Sequence, residues 1–553
     1  MLFFDIELFK DFFVVGFMNE KEVYRAYTLK DLPKIGQLVA TRRLIGFNST
    51  NYDLPILEAA LNGASIKELN NLSLAIINGE RVWPRNQYDH IDLMQIAPGL
   101  KISLKLYAGR MHFPTMREIK FDKTPPVDII TEYNRNDLLV TKALYQKVKA
   151  QVDLREQMEY QTKMISKSDA QIAEYVFREL IPHYKIPSVP IGTTYHYNRP
   201  DWLKPFGAVD TAQFEVGESG AVLLPEVLKA SIMIGNKPYQ MGIGGLHSKE
   251  SNIDYQDVTD FDVTSFYPNI IMKLNLYPEG LGPEFLIHYK KIIAERITAK
   301  RSCDKVRNET LKIVINGSFG KLGSKYSCLY SPQLLIQVTV TGQLILLNLI
   351  DYLTQHGCEV ISANTDGIVV KGDAQHLIDD FASQIGFEFE STHYKRYFGR
   401  DVNNYVAIKD DNSVKTKGTF SPASLIKNPD NAIIGEAIIE ELLHGTGEAH
   451  ILNSEDITKF LQVRSVTGGA VFEGSYLGKV VRYYHSTTST SSLQYEKNGN
   501  KVPKSDGCRP LMNLGDFPKD LDKQWYIDEF KACLNPKLKK PTAKKSKKEA
   551  ASL

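Results

Sequence analysis

The chain has 553 residues, 43% of them hydrophobic and 24% charged, with a formal net charge of +2. That length allows several domains with ample cores, and the near-neutral balance excludes a uniformly basic coat, so any nucleic-acid groove has to be local. Five cysteines (Cys303, Cys328, Cys358, Cys508, Cys533) lack CxxC spacing, which argues against a disulfide framework or zinc module and fits a reducing compartment. No apolar run reaches the length of a membrane span, and MLFFDIELFK lacks a signal-peptide pattern, so a soluble, intracellular, non-secreted protein is expected.

MLFFDIELFKDFFVVGFM reads as two strands joined by a short turn. Strand period puts Asp5 and Glu7 on one face, where like charges repel unless a cation lies between them. DLPILEAAL, opening with Asp53, and RNDLLVTKALYQKVKAQ have helical spacing. Tyr133 and Asp137, at i and i+4, share a helix face. Four carboxylates and a tyrosine could therefore converge on two metal ions, which activate a water and stabilise the leaving oxygen of a phosphodiester. Taken singly, an Asp-x-Glu on a strand is ordinarily a solvated face, and Asp92 reads as structural. Residues 183–250, rich in Pro, Gly and Tyr, read as an irregular connector.

DVTDFDVT reads as a strand with Asp262 near its end, followed by Ser265, Tyr267 and a helix-opening Pro268. Helical runs follow through 286–320 and 333–355. On the first run, Arg296 and Lys300 share one face, and Lys312, Asn316 and Phe319 share another; cations mixed with an aromatic suit a triphosphate and a stacked base. ISANTDGIVV reads as a hairpin with Asp366 at its tip. Beyond it, Lys395, Arg396 and Tyr397, then Lys417-Gly418, interleave cations with tyrosines in a way that suits a phosphate backbone. YLGKVVRYYHS adds Lys479 and Arg482, and the tail from 536 is lysine-rich and expected to be disordered.

Three ordered pieces, Asp5-x-Glu7, Asp53 and Tyr133-x-x-x-Asp137, resemble the exonuclease motifs of the proofreading domain of DNA polymerases, a ribonuclease-H-like fold. SLKLYAG, from Ser103 and Leu104, resembles that domain's single-strand contact motif. Asp262-x-x-Ser265-x-Tyr267-Pro268 resembles motif A of family B DNA polymerases. Lys312, Asn316 and Gly320 match motif B, with Gly317 in place of Ser and Phe319 in place of Tyr. Thr365 and Asp366 match motif C, Tyr-Gly-Asp-Thr-Asp-Ser, from which Ala363, Asn364 and Gly367 depart. The resemblance spans roughly residues 1 to 485 and is to a compact, phage-type enzyme.

The resemblance implies an α+β multidomain chain: a 3′–5′ exonuclease domain at 1–185, a connector at 186–250, palm at 251–285 and 333–430, fingers at 286–332, thumb at 431–535, and a basic tail at 536–553. It implies DNA-directed DNA polymerisation with proofreading, for phage or mobile-element replication in a host cytoplasm. Two magnesium ions per site, with manganese as substitute, would be held by Asp262, Asp366 and the Val263 carbonyl in the palm, and by Asp5, Glu7, Asp53 and Asp137 in the exonuclease domain, where Tyr133 orients the water. Arg296, Lys300 and Lys312 would clamp the triphosphate, Ser265 and Asn316 line the nucleotide pocket, and Tyr267 exclude a ribose hydroxyl. Ser103, Leu104, Lys395, Tyr397, Lys417, Lys479 and Arg482 would touch primer-template DNA. GIGGLHS, Gly242 to Ser248, sits where relatives carry a Tyr-x-Gly-Gly motif. Asn364, an amide where the family has a carboxylate, is expected to be supporting rather than crippling. Asp262 to Lys312 is 50 positions and Lys312 to Asp366 is 54. These short intervals favour a nucleic-acid primer, weak strand displacement, and help from a processivity or single-strand-binding partner. The alternatives are a protein-primed polymerase with reduced insertions, an inactive DNA-binding scaffold, and a stand-alone nuclease.

Overall fold

The computed structural model describes residues 1–99, 102–158 and 164–535; the lysine-rich tail lies outside them. The architecture is α+β and multidomain, as expected. Strands β1 (Leu2–Leu8), β2 (Phe13–Asn19), β3 (Tyr24–Tyr27), β4 (Leu44–Gly46) and β5 (His90–Asp92) form a sheet in the order β3-β2-β1-β4-β5. β1, β2 and β3 are antiparallel neighbours, and β4 and β5 run parallel to β1. Both faces are covered. Phe4 and Ile6 enter one core and Phe3 another, the latter shared with Leu138 and Leu144 of the helix Val127–Lys147. Alternation therefore leaves Asp5 and Glu7 on the face of Phe3, toward that helix. Gly16 on β2 admits it closely: a Cβ there would lie 1.8 Å from the Asn134 side-chain oxygen.

The expected irregular connector is instead partly pleated. β6 (Thr194–His196), β7 (Gln213–Val216) and β8 (Val222–Leu223) form a small antiparallel sheet. β9 (Ile232–Ile234), β10 (Lys237–Met241) and β11 (Leu246–Ser248) join a nine-stranded sheet with β12 (Ile253–Val263), β13 (Val360–Asn364), β14 (Gly367–Lys371), β15 (Phe389–Asp401), β16 (Asn404–Ile408) and β17 (Val414–Lys417). Its order is β17-β16-β15-β12-β14-β13-β11-β10-β9. Strands of two to five residues are too short to show a period, and their partners lie far along the chain, so the sequence reads as loop.

The helix Pro332–Gln355 runs through the core shared with Phe261, Val263, Ile368 and Val370. It corrects the expectation that no segment could span a membrane. By length and composition it could, but 89% of its apolar window is buried inside the protein. Helices Glu284–Arg301 and Lys305–Gly320 pack against each other beside the sheet. Further on, β18 (Gln462–Phe472), β19 (Ser475–His485), β20 (Gln494–Tyr495) and β21 (Cys508–Pro510) form a four-stranded sheet, accompanied by the helices Ala432–His444 and Lys523–Leu534. This last unit returns to the first: the Met116 amide donates to the Met512 carbonyl at 2.9 Å and the Leu514 amide to Pro114 at 2.8 Å.

Candidate active sites

The N-terminal carboxylates converge. One oxygen each of Asp5, Glu7 and Asp137 lie within 4.8 Å of one another. Asn134, one turn before the next helical carboxylate, donates to the Asp5 carboxylate at 3.0 Å and is itself held by the Tyr24 hydroxyl at 3.1 Å. Asp53 stands behind the cluster, accepting from the Ile6 amide at 3.1 Å. Burial first, then the Asp137 charge, pushes Asp5 up to about 7. Burial and Asp5 likewise raise Glu7 and Asp53 well above the ordinary carboxylate range. Tyr133 is buried beside them. Such crowding fits the donor set of a hard divalent cation. Lys105 supplies the compensating charge: it is ion-paired with Asp137 and lies 4.0 Å from the Tyr133 ring centre. Sequence reasoning missed it, although it stands inside SLKLYAG. Ser103 caps the helix Leu104–Arg110 through the Leu106 amide and lines, with Lys105 and Lys479, a cleft of about 470 Å³. Leu104 packs against the neighbouring cores. Asp92 is structural, accepting from the Asn48, Thr50 and Met94 amides.

The second site lies at the centre of the large sheet. β12 pairs with the hairpin strand β14, so that Asp262 opposes Gly367 and the Val263 amide donates to the Asp366 carbonyl at 2.8 Å. Thr365 turns at φ 49° to present Asp366. A Cβ at Gly367 would lie 2.1 Å from Asp262 Oδ1 and 2.9 Å from the Phe261 carbonyl, so a side chain there would displace the Asp262 carboxylate. Burial first, then Asp260, with smaller contributions from Asp366 and Glu390 and an opposing one from Lys415, sets Asp262 at about 6. A cleft of about 1320 Å³ opens from Asp262, Val263 and Ser265 to Arg296 and Lys300. GIGGLHS braces both sides. The Leu246 carbonyl accepts from the Thr365 amide at 2.9 Å, and the Gly244 carbonyl from the Tyr267 hydroxyl at 2.7 Å. Phe319 stacks on Tyr267 with ring centres 4.4 Å apart.

Sequences similar to part of this chain are found among DNA polymerases. The chain is 24% identical over 208 residues to DNA polymerase 2 of Saccharolobus solfataricus, covering 34% of this chain and 30% of that protein. It is 25% identical over 205 residues to DNA polymerase II of Escherichia coli, covering 32% of this chain and 26% of that protein. Over these stretches the chain is similar to DNA polymerases. The matched segment spans less than a third of either relative's length. No protein-family model matches. Among solved structures, the family B DNA polymerase of Pyrobaculum calidifontis aligns with 98% of this chain and 78% of its own, at 14% identity and a TM-score of 0.45.

Against the family's motifs, four expected contacts are displaced. Lys312 and Asn316 do share a helix face, but it turns toward the helices Lys149–Gln157 and Asp169–Leu180. There the two residues line a separate cleft with Arg155 and Asp169, away from Arg296. Only the end of that stripe, Phe319, reaches Tyr267. Gly317 explains the rotation: a Cβ would lie 2.8 Å from both the Ala173 Cβ and the Asp169 carbonyl, so the family's serine is excluded by a close helix crossing. Tyr397 is 2% exposed and stacks on Tyr405, so it cannot grip DNA as expected. Tyr394 and Tyr397 both enter one buried cluster with Val258, Ile361 and Ala407. Lys395 stays exposed, paired with Asn412. Arg482 is fully buried and donates to the carbonyls of Phe113, Pro114, Leu511 and Met512. Lys479, three residues earlier and so on the other face of β19, is the exposed one. Lys417 is half-buried beside Asp366. Asn364 donates to the Val402 carbonyl at 3.4 Å and accepts from the Thr365 hydroxyl at 3.1 Å.

Proposed function

We propose that this chain is a DNA-directed DNA polymerase that extends a primer 5′ to 3′ and removes mispaired ends 3′ to 5′. The observation that carries the reading is the pair of carboxylate sites, each built by a strand and a distant element. Asp5 and Glu7 meet Asp137 on one sheet, and Asp262 meets Asp366 on the other. Asp262, Asp366 and the Val263 carbonyl would hold magnesium, or manganese in its place, as would Asp5, Glu7, Asp137 and Asp53; the bound ions supply charge neutralisation and acidify the reacting hydroxyl or water.

The chain's own residues supply the rest. Arg296 and Lys300 face Asp262 across the large cleft, where they bind and orient a deoxynucleoside triphosphate. Tyr267, fixed by Gly244 and Phe319, forms the floor beneath the sugar and excludes a ribose. Ser265 borders the same cleft. Lys312 and Asn316 belong to a helix that would have to turn to reach it. In the exonuclease site, Tyr133 orients the attacking water while Lys105 holds Asp137. Ser103 and Lys479 border the path of the frayed strand. The domain boundaries, intracellular location, phage-type role and processivity or single-strand-binding partner expected from the sequence belong to this same reading.

A primed-template assay in magnesium tests it. Wild type should lengthen the primer with deoxynucleotides and shorten it without them. Asp366→Ala should abolish only growth, and Asp5→Ala only shortening. A wild type that does neither refutes the proposal.

A further inference from the structure

We propose that Lys415 is a positioning residue of the palm site: a fixed cation that Asp260 and Tyr394 hold against the Asp262 carboxylate. This rests on the polymerase reading above and concerns residues outside every motif that led to it. Lys415 lies on β17, the edge strand of the large sheet. It reaches back past β16 and β15 to β12, where its ammonium is 3.0 Å from Asp260 Oδ2 and 4.0 Å from Asp262 Oδ2. Asp260 is 8% exposed and also accepts from the Tyr394 hydroxyl at 3.1 Å, and Tyr394 is itself buried. Unpairing a buried carboxylate is costly, so Asp260 anchors a lysine whose side chain, 42% exposed, would otherwise move freely in water. The anchor leaves the ammonium beside Asp262.

The consequence follows from strand geometry. Asp260 and Asp262 are two apart on β12 and share a face. Neutralised by Lys415, Asp260 is withdrawn from competition, and Asp262 points toward Asp366 alone. Without Lys415, the two carboxylates of β12 would together attract a divalent ion and draw it away from Asp366. Ion affinity should therefore rise while turnover falls, a combination that neither misfolding nor loss of a phosphate contact produces.

The test uses the full chain carrying Glu7→Ala and Asp137→Ala, which remove the other carboxylate cluster. Manganese binding is followed by electron paramagnetic resonance, and single-nucleotide incorporation gives kcat and KM. Lys415→Met should bind manganese about tenfold more tightly, the size expected for removing one nearby charge. Its kcat should fall by about tenfold or more, with the nucleotide KM little changed. Asp260→Asn should shift binding the opposite way, about tenfold weaker, and the double variant Asp260→Asn/Lys415→Met should return near the parent affinity. Because the double variant buries no unpaired charge, it still reports if Lys415→Met fails to fold. Lys415→Arg, which keeps the cation, should retain most of the parent kcat. Unchanged or weaker manganese binding by Lys415→Met overturns the proposal, as does unchanged kcat. So does a loss of DNA affinity without a change in ion affinity, which would make Lys415 a phosphate contact. Asp366→Ala in the same background separates the two ideas: if it still extends primers, the palm reading itself fails whatever Lys415 does.

Discussion

Replacing Arg482 with methionine removes four hydrogen bonds that join two distant parts of the chain. The guanidinium donates to Leu511 at 2.8 Å and Met512 at 3.0 Å on its own side, and to Phe113 at 2.8 Å and Pro114 at 3.2 Å across the contact with the N-terminal unit. Each bond from a charged donor is worth roughly 1.5–3 kcal/mol net; the Met512 and Pro114 carbonyls keep the Met116 and Leu514 amides, while the Phe113 and Leu511 carbonyls lose their guanidinium donor at a cost of about 1–3 kcal/mol each. Against this stands the desolvation of the guanidinium, whose burial lowers its pKa to about 10. The balance is a loss of about 3–5 kcal/mol, comparable to breaking other buried charged contacts. Methionine keeps most of the volume, so little of the loss comes from a cavity. Urea denaturation measures the stability. DNA binding measured over a range of salt concentrations decides the role, because each lost phosphate contact lowers the slope of log affinity on log salt by about one. Arg482→Met should leave that slope unchanged, whereas Lys479→Ala, on the exposed face of the same strand, should reduce it by about one. A variant Arg482→Met with intact stability and a reduced slope would refute the structural assignment and restore the phosphate contact expected from sequence.

Three further outcomes are expected. Asp5, with its folded-state value of about 7 above the ordinary 3.8, contributes stability that is full below about pH 4 and lost as pH rises through 7. Melting of the chelator-treated protein should therefore fall by a few kcal/mol across that window; Asp5→Asn should flatten the fall and added magnesium oppose it, and a flat profile in the wild type would contradict the assignment. Asn364→Asp replaces an amide donor facing the Val402 carbonyl with a carboxylate, so primer extension should change by less than about tenfold, and a gain of about a hundredfold would make Asn364 a crippled ligand instead. Gly317→Ser forces a Cβ to within 2.8 Å of Ala173 and should destabilise the protein by about 1–3 kcal/mol in urea, whereas unchanged stability would show that the helix crossing can relax.

What could be read from the sequence follows from how local each signal is. Asp5 and Glu7 share a face because strand period is two, and Tyr133 and Asp137 because helix period is near four; neither needs the rest of the chain. The hairpin tip was legible for the same reason, and Asp366 lies where Asp-Gly turn chemistry places it. The meeting of Asp5 and Glu7 with Asp137, however, had to be supplied by motif order, since nothing local dictates it. Where the sequence reading failed, the deciding fact was nonlocal. Lys479 and Arg482 carry the same charge on one strand, and only parity, with the carbonyls waiting behind β19, sends one to water and the other to the core. Lys312 and Asn316 were placed on the correct helix face, but the direction of that face is set by Gly317 against Ala173, over a hundred residues away in sequence. Tyr397 is turned inward by partners on other strands, Tyr405 of β16 and Val258 of β12. Lys105 and Lys415 were missed altogether. Each is an ordinary lysine until the fold sets it among carboxylates, and both then occupy the positions where the two sites carry their excess negative charge. A search of sequence for reactive groups finds the acids first, because they recur in motifs; the cations that hold those acids in place come from whichever strand the fold brings near.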